Sequence, residues 1–360
     1  MNRRPPKNGT VRPVIINTLL VDGNSLFKTG FFGAKDAYND KGNHIGGIYQ
    51  FITVLRKLLT ENLYHNVYVF WDGDFSGKLR YELYKDYKSG RGKDYINGTR
   101  PDDVNEVYQR LKTRNYLQEL FIRQLSDEIV ESDDFIAYYC LKQFDENITI
   151  CTNDRDMLQL LSPNVKIYFC DPSIKQYVDI DNYKQYFKFH IDNSVLIKTI
   201  IGDTSDSIRG VKGVKEKTLL TNFPELSEIK LSIDDIIEKA KILQLNRINN
   251  KQKPLQALTN IIEGITTDTN GIPIIKGMDL YKLNYKLVNL KVPMINYEGI
   301  EKLENLINST LSTDDRGIKN AYILMKSDGI DKILGEDRFS EYLMPFKKLM
   351  EREIKKTITI

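Results

Sequence analysis

The sequence predicts an α/β fold: a mostly parallel central sheet flanked by helices, with a helical C-terminal part. Three observations lead there. Apolar runs rich in β-branched and aromatic residues alternate with helical spacings through the first half of the chain. Carboxylates stop four of those runs, in LLVDGN, VYVFWDGD, EIVESDDFIA and ITICTNDRDMLQLL. From residue 181 onward the strand signal gives way to helical spacing.

Residues 1–13 read as a basic flexible tail. They begin basic and turn apolar as a signal peptide does, but the run is short and ends at Asp22 without a small-residue cleavage site. The periodicity then predicts a strand at 14–22, a helix at 46–61, a strand at 66–72, helices across 78–125 and a strand at 127–131. A helix at 133–144 capped by Ser132, a strand at 147–151, a helix at 154–161, a strand at 165–169 and a hairpin or loop at 171–180 complete the α/β part. IDNSVLIKTIIGD and GVKGVKEKTLLTNF read as two helices joined by a tight turn at Gly210–Val214. Lys215 stands where a phosphate-binding loop needs its second glycine, so this glycine-rich stretch is not a P-loop. The organisation expected is a core over 14–185 holding a basic insertion at about 78–123, a helix-hairpin-helix DNA-binding element at 186–225, and a helical extension at 226–360 without a chemical motif.

The formal net charge of +3 is too small to mark a wholly basic protein, so any nucleic-acid footprint must be local. Between Lys78 and Arg114 ten Lys/Arg stand against six Asp/Glu, interleaved with Tyr81, Tyr84, Tyr87, Tyr95 and Tyr108. Bases alternating with aromatics suit phosphate contact and base stacking. A solvated, helix-rich insertion with ordinary i,i+4 pairs is the plainer reading of that stretch. Cys140, Cys151 and Cys170 lie in apolar contexts without paired spacing and read as reduced core residues of a cytoplasmic protein. His44, His65 and His190 are isolated, which argues against a zinc site or a histidine-based nucleophile. No stretch is long enough to span a membrane.

Nine carboxylates fall into five clusters: Asp22; Asp72; Glu131, Asp133 and Asp134; Asp154 and Asp156; Asp203 and Asp206. One Asp after a strand is commonly a turn residue or helix cap. In an open parallel sheet, however, residues just beyond neighbouring strands converge on one crevice. So many carboxylates repel one another unless hard divalent cations share them, and Mg²⁺ takes such oxygen ligands.

Six motifs then give residues 16–220 a likeness to a known family: VDGN at 21–24, FWDGD at 70–74, LRYELYKDYKSGR at 79–91, ESDD at 131–134, TNDRDMLQLL at 152–161 and GDTSDSIRGVKGVKEKT at 202–218. In that order they resemble the flap endonuclease or 5′-nuclease family, which includes bacteriophage RNase H and the 5′-nuclease domain of bacterial DNA polymerase I. LYKLNYKLVNLKVPMI at 280–295 resembles the C-terminal helical part of the phage enzymes. The resemblance implies a PIN-like nuclease core using two Mg²⁺ ions, with Mn²⁺ as a substitute. Asp22, Asp72, Glu131, Asp133 and Asp134 would surround the first ion, and Asp154, Asp156, Asp203 and Asp206 the second. It places Lys88 and Arg91 in an arch or bridge at the scissile phosphate, as catalytic residues beside Asp22 and Asp72. Arg80, Tyr84, Tyr87, Lys88 and Arg91 would contact nucleic acid. So would Gly210, Lys212, Gly213, Lys215, Lys217 and Thr218 of a helix-hairpin-helix that also takes a monovalent cation such as K⁺. Ser207, Arg209 and Lys215 depart from the family's usual Asn, Pro and Gly, and Lys215 offers a phosphate contact of its own.

The implied reaction is 5′ to 3′ phosphodiester hydrolysis in 5′ flaps and RNA primers during replication. Branched or nicked DNA and RNA–DNA duplex are the implied partners of a monomer, with a sliding clamp or single-strand-binding protein as further candidates. Two other readings stand beside it. A PIN-type ribonuclease shares the acidic α/β core but leaves 202–218 and the basic insertion without a role, and a non-catalytic junction binder would be expected to have lost metal-site carboxylates.

Overall fold

The computed structural model describes residues 15–91, 104–143, 145–171, 173–266, 275–312 and 316–358. Six strands form the central sheet: β1 (Asn17–Asp22), β2 (Asn66–Asp72), β3 (Arg123–Asp127), β4 (Asn147–Thr152), β5 (Val165–Phe169) and β6 (Tyr177–Val178), in the order β3-β2-β1-β4-β5-β6. The first five run parallel, and β6 closes one edge antiparallel to β5. From β1 the chain steps outward to β2 and β3, then returns to the other side of β1 for β4 and β5. Connections therefore diverge between β1 and β4. Beyond the carboxyl ends of strands at such a switch point an open sheet leaves a crevice for ligands.

Alternating side chains divide the core between the two faces. Leu20, Tyr68, Phe70, Ile148 and Ile150 pack on one face beneath α5 (Ser132–Lys142). On the other face, Leu19, Val21, Val67, Val69 and Trp71 meet α1 (Gly23–Gly33), α2 (Gly46–Glu61) and α4 (Val104–Glu119). Burial on both faces is why NVYVFWD is an unbroken apolar run instead of an alternating one. Each such side chain removed from water contributes roughly 1.5–3 kcal/mol.

Glycine follows the terminal Asp of both β1 and β2 because the neighbours leave no room. A Cβ on Gly23 would lie 2.6 Å from the Trp71 ring, and one on Gly73 would lie 2.4 Å from the Asp127 carbonyl oxygen. The two Asp-Gly pairs thus let two strand ends turn against close neighbours.

Three expectations for the α/β part are corrected. The third strand is RQLSD at 123–127, not 127–131. It is half-buried, so it lacks an apolar run, while Val130 of the expected strand is buried in the bend that follows. Ser132 is not the cap of α5: Glu131 holds that position, and the Ser132 amide donates instead to Asp72 Oδ1 at 2.9 Å. The helix expected at 154–161 is a 3₁₀ turn, Arg155–Leu160.

Short α3 (Lys78–Leu83) precedes a 3₁₀ turn at Ser89–Arg91. After the sheet come α6 (Ser194–Ile201), a small antiparallel pair β7 (Gly202–Asp203) and β8 (Ile208–Arg209), and α7 (Glu216–Asn222). The connection between these two helices is therefore longer than the tight turn expected. Its strands close where Gly202 and Gly210 pass each other; a Cβ on Gly210 would fall 2.0 Å from the Ile201 carbonyl oxygen. Gly213, with φ +73°, turns the chain toward α7.

The rest is helical: α8 (Ile233–Asn249), α9 (Gln256–Glu263), α10 (Met278–Val288), α11 (Tyr297–Asn308), α12 (Ile318–Ser327), α13 (Asp331–Gly335), α14 (Phe339–Tyr342) and α15 (Met344–Ile358). Helix α10 packs on α6, α11 lies beside β3, α12 packs on α4 and α15 on α2. No helix among the described residues is long and apolar enough to cross a membrane.

Candidate metal centre and nucleic-acid interface

Strand ends deliver the first carboxylates. Asp22 closes β1 and is buried, and its side chain also caps α1: Oδ1 accepts from the Ser25 amide at 3.0 Å, while Oδ2 accepts from the Thr152 hydroxyl at 2.9 Å. Cap and site residue are here the same group. Asp72 closes β2 and is held by the Ser132 amide, which ties it to the acidic turn of α5. Asp154 follows β4, accepting from the Asp156 amide at 2.8 Å.

These groups feel one another. Burial, followed by repulsion from Asp72 and Asp154, pushes Asp22 up to about 7 against the Ser25 and Thr152 hydrogen bonds. Asp133 is driven well above the ordinary carboxylate range by burial and then by Asp22, Asp154, Asp72 and Glu131. Asp156 rises to about 7 through burial and its neighbour Asp154, against the pull of Lys198. The fold has concentrated negative charge in a crevice only partly open to solvent.

Glu131 behaves in the opposite way. Burial opposes its charge, but Lys88 and Arg80 outweigh burial and hold it down to about 2. Arg80 Nη1 donates to Glu131 at 2.7 Å and to Asp134 at 2.5 Å, Nη2 donates to Asp134 at 3.0 Å, and Nε donates to the Leu287 carbonyl at 2.9 Å. Tyr87 donates to Glu131 at 2.9 Å, and the Lys88 ammonium pairs with the same carboxylate. Arg80 and Tyr87, expected at the nucleic-acid surface, are only 5% and 3% exposed, so they orient the acidic residues from behind. Lys88 is buried as well. Its own backbone lies in the left-handed region, φ +57°, where its amide donates to the Asp206 carbonyl at 2.8 Å. Arg91 ends the 3₁₀ turn beyond it, but its side chain lies outside the described residues, as does Tyr95.

The segment carrying Lys88 is docked on the hairpin that carries Asp203 and Asp206. Gly90 N donates to Ser207 Oγ at 2.9 Å, Tyr87 reaches Asp206 at 3.4 Å, and Arg209 pairs with Asp86. Ser207 and Arg209, two of the three departures from the family pattern, thus make contacts that hold the base of the basic insertion. Tyr84 is half-buried with its hydroxyl 3.4 Å from Asp86. Farther along the hairpin, Lys212, Gly213, Lys215 and Lys217 are exposed, and Gly210 and Thr218 are half-buried. These lysines present a positive rim suited to duplex phosphates.

Sequence reasoning missed Lys198, whose ammonium lies 2.8 Å from Asp156 and 2.5 Å from Asp203. A lone lysine in the apolar helix SVLIKTII, five residues before Asp203, was the available signal. It also missed Thr152 and Gln159. The Gln159 side chain donates to Val288 O at 2.8 Å and accepts from Leu290 N at 2.9 Å, clamping the segment after α10 against the acidic centre. Among the described residues, no three His, Cys, Asp or Glu side chains are drawn tightly enough to cage an ion as they stand. Their donor set nevertheless fits a hard cation: all are carboxylate oxygens, and burial followed by mutual repulsion pushes Asp22 and Asp133 upward, both of which a bound cation would offset.

A family model described as the 5′-3′ exonuclease, N-terminal resolvase-like domain, matches residues 17–189. A 5′-3′ exonuclease of Mycoplasmopsis pulmonis is 31% identical over 292 residues, covering 79% of this chain and 89% of that one. This chain belongs to the 5′-3′ exonuclease family. The nuclease also aligns with DNA polymerase I of Bacillus caldotenax, 31% identical over 230 residues; that is 61% of this chain but 25% of the polymerase. Among solved structures, phage T5 5′-exonuclease with bound divalent zinc superposes with a TM-score of 0.55 at 17% identity, covering 94% of this chain and 99% of that one. A T5 flap endonuclease complex with DNA and metal ions gives a TM-score of 0.54 at 18% identity, with the same coverage. At these identities the superpositions establish the shared fold, a parallel sheet flanked by helices with a helical C-terminal part.

Proposed function

We propose that this nuclease is a Mg²⁺-dependent, structure-specific 5′ to 3′ exonuclease and flap endonuclease that removes 5′ flaps and RNA primers. The observation that carries the reading is the convergence of carboxylates from the ends of β1, β2 and β4, the first turn of α5 and the β7/β8 hairpin upon one partly buried acidic centre edged by Lys88 and Lys198. Asp22, Asp72, Glu131, Asp133 and Asp134 would hold one ion, and Asp154, Asp156, Asp203 and Asp206 a second. When bound, two Mg²⁺ ions would lower the pKa of an attacking water and neutralise charge gathering on the phosphate.

The chain's own residues do the rest. Thr152, Ser25 and the Ser132 amide fix the rotamers of Asp22 and Asp72. Arg80 and Tyr87 fix Glu131 and Asp134 from the buried side. Lys88, once released from Glu131, supplies a donor to a phosphate oxygen as negative charge builds there. Exposed Lys212, Lys215 and Lys217 hold the duplex by its backbone, so selection rests on shape and little on base sequence. Two T5 structures with the same fold hold divalent metals, one of them beside DNA, which supports the reading.

Asp72→Asn tests it. The expected outcome is loss of cleavage with flap-DNA binding retained in a filter or anisotropy assay, because Asn keeps the acceptor for Ser132 N but loses the charge. Undiminished phosphodiester cleavage by the variant would overturn the assignment.

A further inference from the structure

Lys198 is the cation of the centre that lies outside all six family motifs. It projects from α6 to a position between two carboxylates of different elements, 2.8 Å from Asp156 Oδ1 in the 3₁₀ turn after β4 and 2.5 Å from Asp203 Oδ2 in β7. The two contacts differ in kind. Asp203 accepts a directed hydrogen bond from the ammonium, whereas Asp156 Oδ1 is buried and makes no directed hydrogen bond among the described residues. The ion pair with Lys198 is the contact found for Asp156 Oδ1 among the described residues. Asp203 has further partners of its own, in the Ser205 amide at 2.8 Å and the Ser205 hydroxyl at 2.7 Å.

We propose that Lys198 is the built-in counter-cation of the second carboxylate cluster, and that a divalent ion enters there by exchange with its ammonium. The inference rests on the metal-dependent reading above and adds an identity to the second site's occupant when metal is scarce. An ammonium and a hard dication ask for the same carboxylate oxygens, and among the described residues no hydrogen-bond donor holds Asp156 Oδ1 once the ammonium withdraws. Lys198 thus lets the acidic pocket fold without metal and makes the second ion the weaker-bound of the two. In the first cluster Lys88 withdraws as well, but Glu131 keeps Arg80 and Tyr87 as donors, and Arg80, anchored by the Leu287 carbonyl and by Asp134, stays in place.

The test uses the full chain with Mg²⁺ alone, with Lys198→Met and Lys198→Arg compared to wild type by thermal melting in EDTA and in saturating Mg²⁺, and by calorimetric titration. Lys198→Met is expected to melt lower than wild type in EDTA, to gain more from Mg²⁺ than wild type does, and to bind the weaker ion at least about tenfold tighter, since a unit charge within a few ångströms of a dication has been removed. Lys198→Arg, which keeps the charge, should follow wild type. If Lys198→Met is unfolded in EDTA but folds in Mg²⁺, the exchange is shown in its extreme form. A variant destabilised equally with and without Mg²⁺, or unfolded in both, would overturn the proposal by making Lys198 a structural residue only. Absence of any Mg²⁺-induced shift in wild type would instead remove the metal-dependent reading itself, so the two failures are distinguishable.

Discussion

Arg80 shows how much one side chain carries here. It is a buried guanidinium whose donors reach Glu131, Asp134 and the Leu287 carbonyl, so it neutralises the first acidic cluster and joins it to the end of α10. Removing one partner of a buried pair strands the others without compensation, at a cost of about 3–5 kcal/mol. Arg80→Met is therefore expected to lower the unfolding free energy in EDTA by about that amount, read from urea denaturation. A loss below about 1 kcal/mol would show that the guanidinium is dispensable to the cluster. The sequence displays Arg80 only as one base among ten in a basic, tyrosine-rich stretch. Nothing in that pattern says which base turns inward, because burial of a charged residue is decided by partners distant along the chain. Asp22 and Asp72 were legible for the opposite reason: each stands where an apolar run stops, and strand geometry alone puts that position at the sheet's carboxyl edge.

Elements were legible in proportion to their burial. β2 and β5 fall where the apolar runs predict them: β2 is covered on both faces, and β5 is buried at all but Lys166. β3 lies at the sheet edge, and its polar RQLSD gave no such signal. That edge is covered by α11, tied down where Lys302 donates to Asp127 at 2.6 Å. Burial raises the Asp127 pKa, but the Lys302 hydrogen bond and the Val130 and Ile129 amides outweigh it, leaving the carboxyl below its usual value. A depressed carboxyl contributes stability above its unfolded pKa of about 3.9 and loses it as pH falls through the lower folded value. Hydrogen exchange should accordingly report weakened protection of α11 as the pH drops below about 4. Asp127→Asn should weaken that protection at neutral pH and remove its acid dependence. Protection in the variant that matches wild type at neutral pH would contradict the tie.

On the scale of the whole molecule, residues from most of the chain's length meet around one acidic centre. Asp22 from β1 and Asp134, which accepts the Met294 amide at 2.8 Å, belong to the same set of interacting carboxylates. The C-terminal half offers no chemical motif, yet it supplies Leu287, Val288, Leu290 and Met294 as backbone anchors for Arg80, Gln159 and Asp134. Backbone anchors leave no mark in side-chain patterns, so this contribution was hidden from the sequence. Its packing is equally global: Phe346 and Leu349 of α15 join the same core as α2, and Asp328 after α12 accepts from Tyr116 and Lys112 of α4. In the proposed function the acidic centre acts through divalent metal upon a 5′ end. Cleavage of a 5′-labelled flap and of an RNA-primed duplex, each with Mg²⁺ and with EDTA, tests this most directly. Short 5′ products that form with Mg²⁺ and vanish with EDTA are the expected result; binding without cleavage, or cleavage of free single-stranded RNA alone, would contradict it.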